Sequence, residues 1–172
     1  MKTIKILNPE NASEEEVARF RVREAARAVV YDKEGRIGIL FVSKENYHKL
    51  PGGGIKTGES IVQALKRECL EEIGCNIEVI DEIGQTIEYR KMFGLKQISH
   101  VYLANLVGEK GSPSYTEKEL ANGFQIKWLA LEEAINFLET DEPFGEEGRL
   151  YIIPRDRALL ETVRLAKSKT LS

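Results

Sequence analysis

The sequence predicts a mixed β-sheet accompanied by a few helices, which is an α/β or an α+β fold. Alternating or apolar segments typical of strands recur along the chain, and several follow one another with no helix between them. One segment, from Ser60 to Ile73, instead has the apolar spacing of a helix and is closed by Gly74 as its C-cap. With 172 residues, the chain has the length of one ordinary domain.

The composition excludes several classes of protein. Hydrophobic residues make up 42% of the chain and charged residues 31%, which suits a protein with a real core rather than a disordered one. The formal net charge of -3 provides no broad basic surface for nucleic acid. The two cysteines, Cys69 and Cys75, are too few for a disulfide framework.

Neither a signal peptide nor a membrane span is predicted. The first 16 residues lack the apolar core and the cleavage site of a signal peptide. No apolar run approaches the ~18 residues that a membrane-spanning helix needs. We therefore expect a cytoplasmic protein whose partners are neither nucleic acid nor a membrane.

The segments that precede the helix predict a strand, a short helix and a hairpin. Lys2 to Leu7 alternates as a short strand does, and Ser13 with Glu16 predicts a helix start with a capping box. The turn from Asp32 to Gly35 then joins the two strands of a predicted hairpin, Ala25 to Tyr31 and Arg36 to Val42.

The segments around and after the main helix predict further strands and two more helices. Leu50 to Gly54 cannot be helical, so we expect a loop or a strand broken by glycines. Leu131 to Leu138 predicts a short helix, and Asp156 to Lys167 predicts a C-terminal helix opened by Pro154. The predicted strands are Ile77 to Ile80, Gln85 to Tyr89, Ile98 to Leu106 and Phe124 to Leu129.

The main helix carries an apolar stripe and a carboxylate cluster on different faces. The stripe consists of Val62, Leu65, Cys69 and Ile73. Glu68, Glu71 and Glu72 lie at spacings of three and four residues, where like charges repel and weaken a helix. A divalent cation would cancel that repulsion, because hard ions take oxygen ligands. The alternative is a solvated acidic face, which is common in a chain with 24 Glu.

Glycines around this helix favour the first of these interpretations. The segment Gly53 to Cys75 fits the pattern G-x5-E-x7-R-E-U-x-E-E-x-G-U, in which U is an apolar residue. At these 23 residues the sequence resembles the Nudix hydrolase family, whose defining pattern this is. Both U positions are Cys (Cys69 and Cys75), which behaves as a small buried hydrophobe.

The resemblance implies a fold, an activity and a cofactor. The fold is an α/β/α sandwich with a mixed central sheet. The activity is hydrolysis of a nucleoside diphosphate linked to another group, with Mg²⁺ or Mn²⁺. The implied organisation is a core over residues 23–140, an N-terminal strand and short helix over residues 1–22, and a C-terminal helical extension of the same domain over residues 141–172.

The resemblance also assigns roles to the residues of the pattern. Glu68 and Glu72 would be direct metal ligands, and Glu71 would bind the metal directly or through water. The backbone carbonyl of Gly52 would supply a further ligand. Outer ion pairs commonly orient ligating carboxylates, and Arg67 with Glu59 would form such a pair.

The general base and the substrate-binding residues lie outside the pattern. Glu119 is the predicted base and a further metal ligand, Glu117 is the reserve, and Glu68 is an alternative base. Each of the loop acids could equally be solvated. Candidates to contact the substrate are Arg27, Arg36, Lys44 and His48. Exposed strand ends often carry such charges, and His48 could simply complete a strand.

The substrate is predicted by excluding the types whose sequence motifs are missing. The proline typical of ADP-ribose-hydrolysing members and the extended motifs of the NADH and coenzyme A types are missing. What remains is a MutT-like enzyme that converts a nucleoside triphosphate, oxidised or not, to the monophosphate and pyrophosphate. The alternatives are hydrolysis of ADP-ribose or of a dinucleoside polyphosphate, or nucleotide sensing without catalysis. A homodimer is possible.

Overall fold

One mixed eight-stranded sheet forms the centre of the fold in residues 1–170, the part of the chain that the computed structural model describes. The strands run in the order β1-β6-β7-β2-β3-β4, with β5 paired to β2 and β8 paired to β3. The pairs β1–β6 and β2–β7 are parallel, and the other pairs are antiparallel. The strands are β1 Thr3–Leu7, β2 Arg21–Tyr31, β3 Ile37–Val42, β4 Tyr47–Lys49, β5 Gly52–Gly54, β6 Asn76–Arg90, β7 Leu95–Val107 and β8 Phe124–Leu129.

Helices cover both faces of this sheet. A 3₁₀ turn (Lys91–Phe93) joins β6 to β7, and a π-helical turn (Gly148–Ile152) leads directly into the last helix. The α-helices are α1 Glu14–Val17, α2 Ile61–Ile73, α3 Glu117–Ala121, α4 Leu131–Thr140 and α5 Ile153–Thr170. None of the helices within residues 1–170 combines the length and the apolarity needed to cross a membrane.

The alternation of β2 separates two hydrophobic cores. Ala26, Ala28 and Val30 point to the face that α2 covers, where Leu65 and Cys69 are buried with them. Val29 and Tyr31 point to the opposite face, in a second core that α4 and α5 complete. Successive side chains of a strand point to opposite faces, so β2 contributes to both cores. The predicted α/β/α sandwich with a mixed central sheet is confirmed.

The ends of α2 follow the predicted signals, but its buried face differs from the predicted stripe. Ser60 caps the helix, its hydroxyl accepting the Gln63 N–H, and Gly74 ends it in the left-handed conformation at φ +67°. Val62 is exposed, so its place in the stripe was wrong. The buried set includes two carboxylates, which an apolar pattern cannot reveal: Ala64, Leu65, Glu68, Cys69, Glu72 and Ile73.

Several elements differ from the sequence prediction. Ile77 to Ile80 and Gln85 to Tyr89 are parts of the single strand β6, which bulges between them. Of the two alternatives predicted for the glycine run, the strand is the one that forms, because Gly52–Gly54 pairs with β2 as β5. The short elements β4 and α3 were not predicted, since three to five residues carry too little periodicity.

The segments at the two ends of the chain pack against the sheet. β1 pairs in parallel with β6, and its Leu7 is buried. The capping box of Ser13 and Glu16 is present at the start of α1. α5 buries Leu159, Leu160 and Val163 in the second core. The division of the domain at residues 23 and 140 stays a prediction.

The hairpin turn between β2 and β3 is organised by the carboxylate of Asp32. This carboxylate accepts the backbone N–H of Glu34 (3.0 Å) and of Arg36 (2.8 Å), together with Nε of Arg36 (3.0 Å) and Nζ of Lys110 (2.6 Å). Burial raises its pKa, but these donors outweigh burial and lower the pKa from 3.8 to about 2. The charged form of Asp32 therefore stabilises the fold.

We predict that Asp32→Asn lowers the free energy of unfolding at pH 7 by about 1 to 2 kcal/mol, because the ionised carboxylate is lost. The stabilisation is present above the ordinary pKa and disappears as the pH falls from about 4 to about 2. Urea unfolding of both proteins between pH 7 and pH 2 measures this. Stability curves that stay parallel across that interval would contradict the assignment.

Candidate active site

A cleft of about 570 Å³ opens beside β5 and brings together residues from distant parts of the sequence. The glycines of β5 form part of its lining, together with Glu68 and Glu72 of α2. β2 contributes Arg23 and Arg27. The remaining lining comes from β3 and β4 with the turn between them, from β6 and β7, from the α3 region, from the segment before α5, and from the first turn of α5.

Glycine is required in β5 because two neighbours approach its backbone closely. Gly52 has φ +138°, and a Cβ there would lie 2.2 Å from the carbonyl oxygen of Ala26. A Cβ on Gly53 would lie 2.5 Å from Oε1 of Glu68. A side chain at either position would displace β2 or the carboxylate, since real Cβ contacts are longer. The glycines therefore allow a strand to pass directly beneath the acidic residues of α2.

Glu72 is buried and held by two donors. Its carboxylate accepts the backbone N–H of Gly52 (2.7 Å) and Nζ of Lys49 (2.9 Å), and the residue is only 2% exposed. Burial raises the pKa of this carboxyl group, while Lys49 and the Gly52 N–H act in the opposite direction. The Glu72 carboxylate is thereby fixed to β5, the strand that borders the cleft.

Arg67 joins the loop before α2 to the acidic residues of the helix. Its Nε and Nη2 donate to the two carboxylate oxygens of Glu59, at 2.6 and 3.0 Å. Its Nη1 donates to Glu68 (2.6 Å) and to Glu71 (3.2 Å). Hydrogen bonds from Arg67 lower the pKa of Glu59 to about 2. The ion pair of Arg67 and Glu59 is therefore present, and the same guanidinium orients Glu68.

We call the end of the cleft that contains Glu68 and Glu72 the carboxylate end. Its residues suit a hard divalent cation. Glu68, Glu72, Gly52 and Glu119 line the cleft, whereas Glu71 does not. No group of three or more Asp, Glu, His or Cys side chains within residues 1–170 is arranged around one metal position. Mg²⁺ usually takes one or two protein carboxylates and completes its shell with water and substrate phosphates. The close fit of Glu68 over Gly53 places carboxylate oxygens where such an ion can approach.

Glu119 lies in the cleft but is engaged in a local hydrogen bond. Its carboxylate accepts the backbone N–H of Thr116 (2.7 Å), and the Thr116 hydroxyl accepts the Glu119 N–H, which completes the capping box of α3. Glu117 is exposed and does not line the cleft. Of the two predicted loop acids, the structure thus brings Glu119 to the site.

Four arginines form the other end of the cleft, and we call Arg23, Arg27, Arg90 and Arg155 the arginine cluster. Arg27 is 7% exposed and donates to the Ser99 hydroxyl (3.2 Å) and to the carbonyl of Gly52 (3.3 Å). Burial, followed by repulsion from Arg155, lowers the pKa of Arg27 to about 10.

The fully buried Glu88 holds part of the arginine cluster in place. Its carboxylate accepts Nε of Arg90 (2.7 Å), Nη1 of Arg155 (3.0 Å) and Nε2 of Gln97 (3.4 Å). Burial acts to raise its pKa, but the surrounding arginines outweigh burial and lower it. Gln97 in turn accepts Nη1 of Arg23 (3.1 Å). The donors at this end of the cleft are therefore fixed before any ligand binds.

Three of the four predicted substrate contacts lie away from the cleft. Arg36 pairs with the turn carboxylates of Asp32 and Glu34, and Lys44 is exposed in the turn between β3 and β4. His48 is buried, stacks between Phe41 and Phe137, and contacts Asp141 through Nδ1 (3.0 Å). The charge of Arg36 is thus paired in the turn, and the charge of Lys44 faces solvent. The ring of His48 connects β4 to the end of α4.

Several residues of the cleft were missed by sequence reasoning. They are Arg23, Lys49, Arg90, Gln97 and Arg155. Arg23 shares a face with Arg27 four residues along β2, a signal that strand alternation could have provided. Arg155 lies beyond the predicted core, and only the tertiary structure brings it to the site. Of the aromatic residues, Tyr47 and Phe124 line the cleft, whereas Phe41 and Phe93 do not.

A family comparison matches most of the chain. The NUDIX domain model aligns with residues 21–149, from the start of β2 to the π-helical turn. The match contains the glycine strand, α2 and the α3 region. α5, which supplies Arg155, follows the matched segment.

Three relatives match shorter segments. The chain is 31% identical over 75 residues to an oxidized purine nucleoside triphosphate hydrolase of Danio rerio, covering 44% of this chain and 47% of that protein. It is 49% identical over 45 residues to an RNA pyrophosphohydrolase of Sulfurovum sp., covering 26% and 29%. It is 50% identical over 46 residues to an 8-oxo-dGTP diphosphatase of Buchnera aphidicola, covering 27% and 36%. The matched segment thus spans less than half the length of each relative.

Solved structures share the fold over most of the chain. A NUDIX hydrolase from Nitrosomonas europaea superimposes with a TM-score of 0.64 at 17% identity, covering 86% of this chain and 91% of the other. A MutT protein from Methanosarcina mazei superimposes with a TM-score of 0.59 at 19% identity, covering 86% and 97%. At these identities the likeness concerns the fold.

We predict that Gly53→Ala weakens the binding of Mn²⁺ by about tenfold or more, because the new methyl group would displace the Glu68 carboxylate and remove a ligand contact. The overall fold should persist, since Gly53 does not have a positive φ. Isothermal titration with MnCl₂, checked by circular dichroism, measures this.

Gly54→Ala is the matched control, because a Cβ there meets only the end of the Arg23 side chain, at 3.0 Å. Equal Mn²⁺ affinities for the two variants and the unmodified protein would contradict a role for Glu68 in metal binding.

Proposed function

Because the chain belongs to the Nudix family, we propose that it hydrolyses the pyrophosphate bond of a nucleoside diphosphate linked to a further group, with a bound divalent metal ion. The observation that carries this proposal is the pair of α2 carboxylates, Glu68 and Glu72, held over the glycines of β5 at the edge of the cleft. Such a pair beside a cleft of nucleotide size supports catalysis rather than nucleotide sensing, because a sensor has no need for ligands that activate water.

For the substrate, we propose a nucleoside triphosphate, oxidised or not. The names of two relatives support this choice, an oxidized purine nucleoside triphosphate hydrolase and an 8-oxo-dGTP diphosphatase. Water would add through its oxygen to a phosphorus of the triphosphate, and the bridging P–O bond would break. The products are the nucleoside monophosphate and pyrophosphate, with the proton of the water passing to a base.

The metal ligands in this proposal are Glu68, Glu72 and the Gly52 carbonyl, with Glu71 acting directly or through water and Glu119 completing the set. The bound ion, Mg²⁺ or Mn²⁺, supplies charge neutralisation on the phosphates and lowers the pKa of water. Arg67 and Glu59 are positioning residues, since their ion pair holds the Glu68 carboxylate in one orientation.

We propose Glu119 as the general base. It lines the cleft, and its carboxylate can accept a proton once it releases the Thr116 N–H, an exchange within a helix of only five residues. Glu68 is the alternative base, because it also lines the cleft. A homodimer stays a prediction.

We predict that Glu72→Gln lowers kcat by about 10³-fold, because the amide keeps the shape and the Gly52 hydrogen bond but loses the negative charge. Pyrophosphate and phosphate release is measured with Mg²⁺ on a panel of dNTPs, 8-oxo-dGTP, ADP-ribose, dinucleoside polyphosphates and NADH. Glu133→Gln, at an exposed position of α4, is the matched control and should retain full activity.

Two outcomes would count against the proposal. Near-normal turnover by folded Glu72→Gln would remove this carboxylate from the metal site. Nucleotide binding without release of any product from the whole panel would favour the sensing alternative.

A further inference from the structure

We propose that the arginine cluster is a phosphoryl-binding subsite that takes the phosphate lying beyond the diphosphate held at the carboxylate end, so that a nucleoside triphosphate is preferred over a nucleoside diphosphate joined to an uncharged group. This inference rests on the proposed function and names what distinguishes its substrate. It assigns Arg23 and Arg27 as the specificity-determining residues.

Arg27 is the first argument, because it is a buried cation that makes no ion pair with a carboxylate in residues 1–170. Its side chain is 93% buried, and no carboxylate in residues 1–170 lies within ion-pairing distance of it. Its two hydrogen bonds go to a hydroxyl and to a carbonyl, both uncharged. Asp156, Glu88 and Glu72 attract this charge without pairing with it, but burial and repulsion from Arg155 outweigh them. Burying a charge that is not fully compensated costs free energy, so a position of this kind is typical of a site that an anion completes.

The second argument is that the arginine cluster is crowded with like charges and that two of its members are held in place. Glu88 fixes Arg90 and Arg155 from behind, and Arg155 is close enough to Arg27 to disfavour its charged form. Repulsion among fixed cations is relieved when an anion binds, and little side-chain entropy remains to be lost. Electrostatic repulsion among the arginines thus destabilises the protein locally, and binding of an anion removes this destabilisation.

The chemistry of the lining selects a phosphoryl group. Arg23, Arg27, Arg90 and Arg155 offer only N–H donors, and a guanidinium matches the paired oxygens of a phosphate. A nucleobase presents donors as well as acceptors on its edges, and its donors would face cations here. A phosphoryl group presents acceptors alone and carries the charge needed for the ion pair that Arg27 does not make within residues 1–170.

The subsite is continuous with the carboxylate end of the cleft. Arg27 donates to the carbonyl of Gly52, and the Arg23 guanidinium lies over Gly54, 3.0 Å from where a Cβ would be. Both arginines therefore border the strand beneath Glu68. One polyphosphate chain can contact the carboxylate end through metal ions and the arginines directly.

The test compares two substrates that share the same nucleoside diphosphate. In ATP the further group is a phosphate, and in ADP-ribose it is an uncharged sugar. Arg23→Gln and Arg27→Gln should each lower kcat/KM for ATP by about tenfold or more, the loss expected for one charge-assisted hydrogen bond. The same variants should change kcat/KM for ADP-ribose by less than about threefold.

Arg21→Gln is the matched control, because it removes the same charge from an exposed position of the same strand, outside the cleft. It should leave both values of kcat/KM unchanged. Arg23 is also exposed, so its variant tests the inference even if the Arg27 variant does not fold.

A second measurement does not depend on catalysis. Without divalent metal, inorganic tripolyphosphate should raise the Tm of the unmodified protein and of Arg21→Gln, and should raise it less in Arg23→Gln and Arg27→Gln. Orthophosphate is titrated in parallel, to show whether a single phosphate suffices.

Equal losses on ATP and ADP-ribose would overturn the inference, since the arginines would then serve the shared diphosphate. A tripolyphosphate effect that is absent, or equal in all four proteins, would also overturn it. Tripolyphosphate binding through Arg23 and Arg27 in a protein that hydrolyses no nucleotide would instead refute the proposed function and retain the subsite.

Discussion

The site depends on one steric constraint, the close approach of a side-chain-free strand to both a neighbouring strand and a helix. β5 pairs with β2 on one side and lies beneath the Glu68 carboxylate on the other. The bond from the Gly52 N–H to Glu72 at the carboxylate end depends on this close approach. The same strand offers its carbonyls to Arg27 and Arg67, so the two ends of the cleft share one backbone scaffold.

The two ends of the cleft carry charges of opposite sign, acidic residues at the carboxylate end and arginines at the other end. At the carboxylate end, Lys49 and Arg67 offset acidic residues that a divalent cation would otherwise have to neutralise alone. At the other end, Glu88, Glu147 and Asp156 form ion pairs with Arg90 and Arg155, whereas Arg27 forms none within residues 1–170. At each end, ion pairs thus offset part of the charge that faces the cleft. Buried polar groups of this kind are tolerated because their partners are fixed by the surrounding structure.

The sequence was informative wherever a local pattern determined the structure. The start and end of α2, the hairpin from β2 to β3 and the fold class followed from capping residues, turn residues and periodicity. The Arg67–Glu59 pair followed from the family pattern. Arg90 and Arg155 of the arginine cluster could not be predicted in the same way, because they belong to β6 and α5, which approach β2 only in the tertiary structure. His48 shows the converse, since a residue four positions from Gly52 in sequence packs against Phe41 and Phe137 instead of lining the cleft.

The hydrogen bond from the Leu50 N–H to the Asp156 carboxylate (2.8 Å) joins residues 106 positions apart. Leu50 leads into the glycine strand, and Asp156 belongs to the first turn of α5 beside Arg155. During synthesis the acidic helix and its glycines leave the ribosome well before this partner exists. The cleft therefore reaches its final shape only when the last helix docks, and folding of the site is delayed by a contact of high sequence separation.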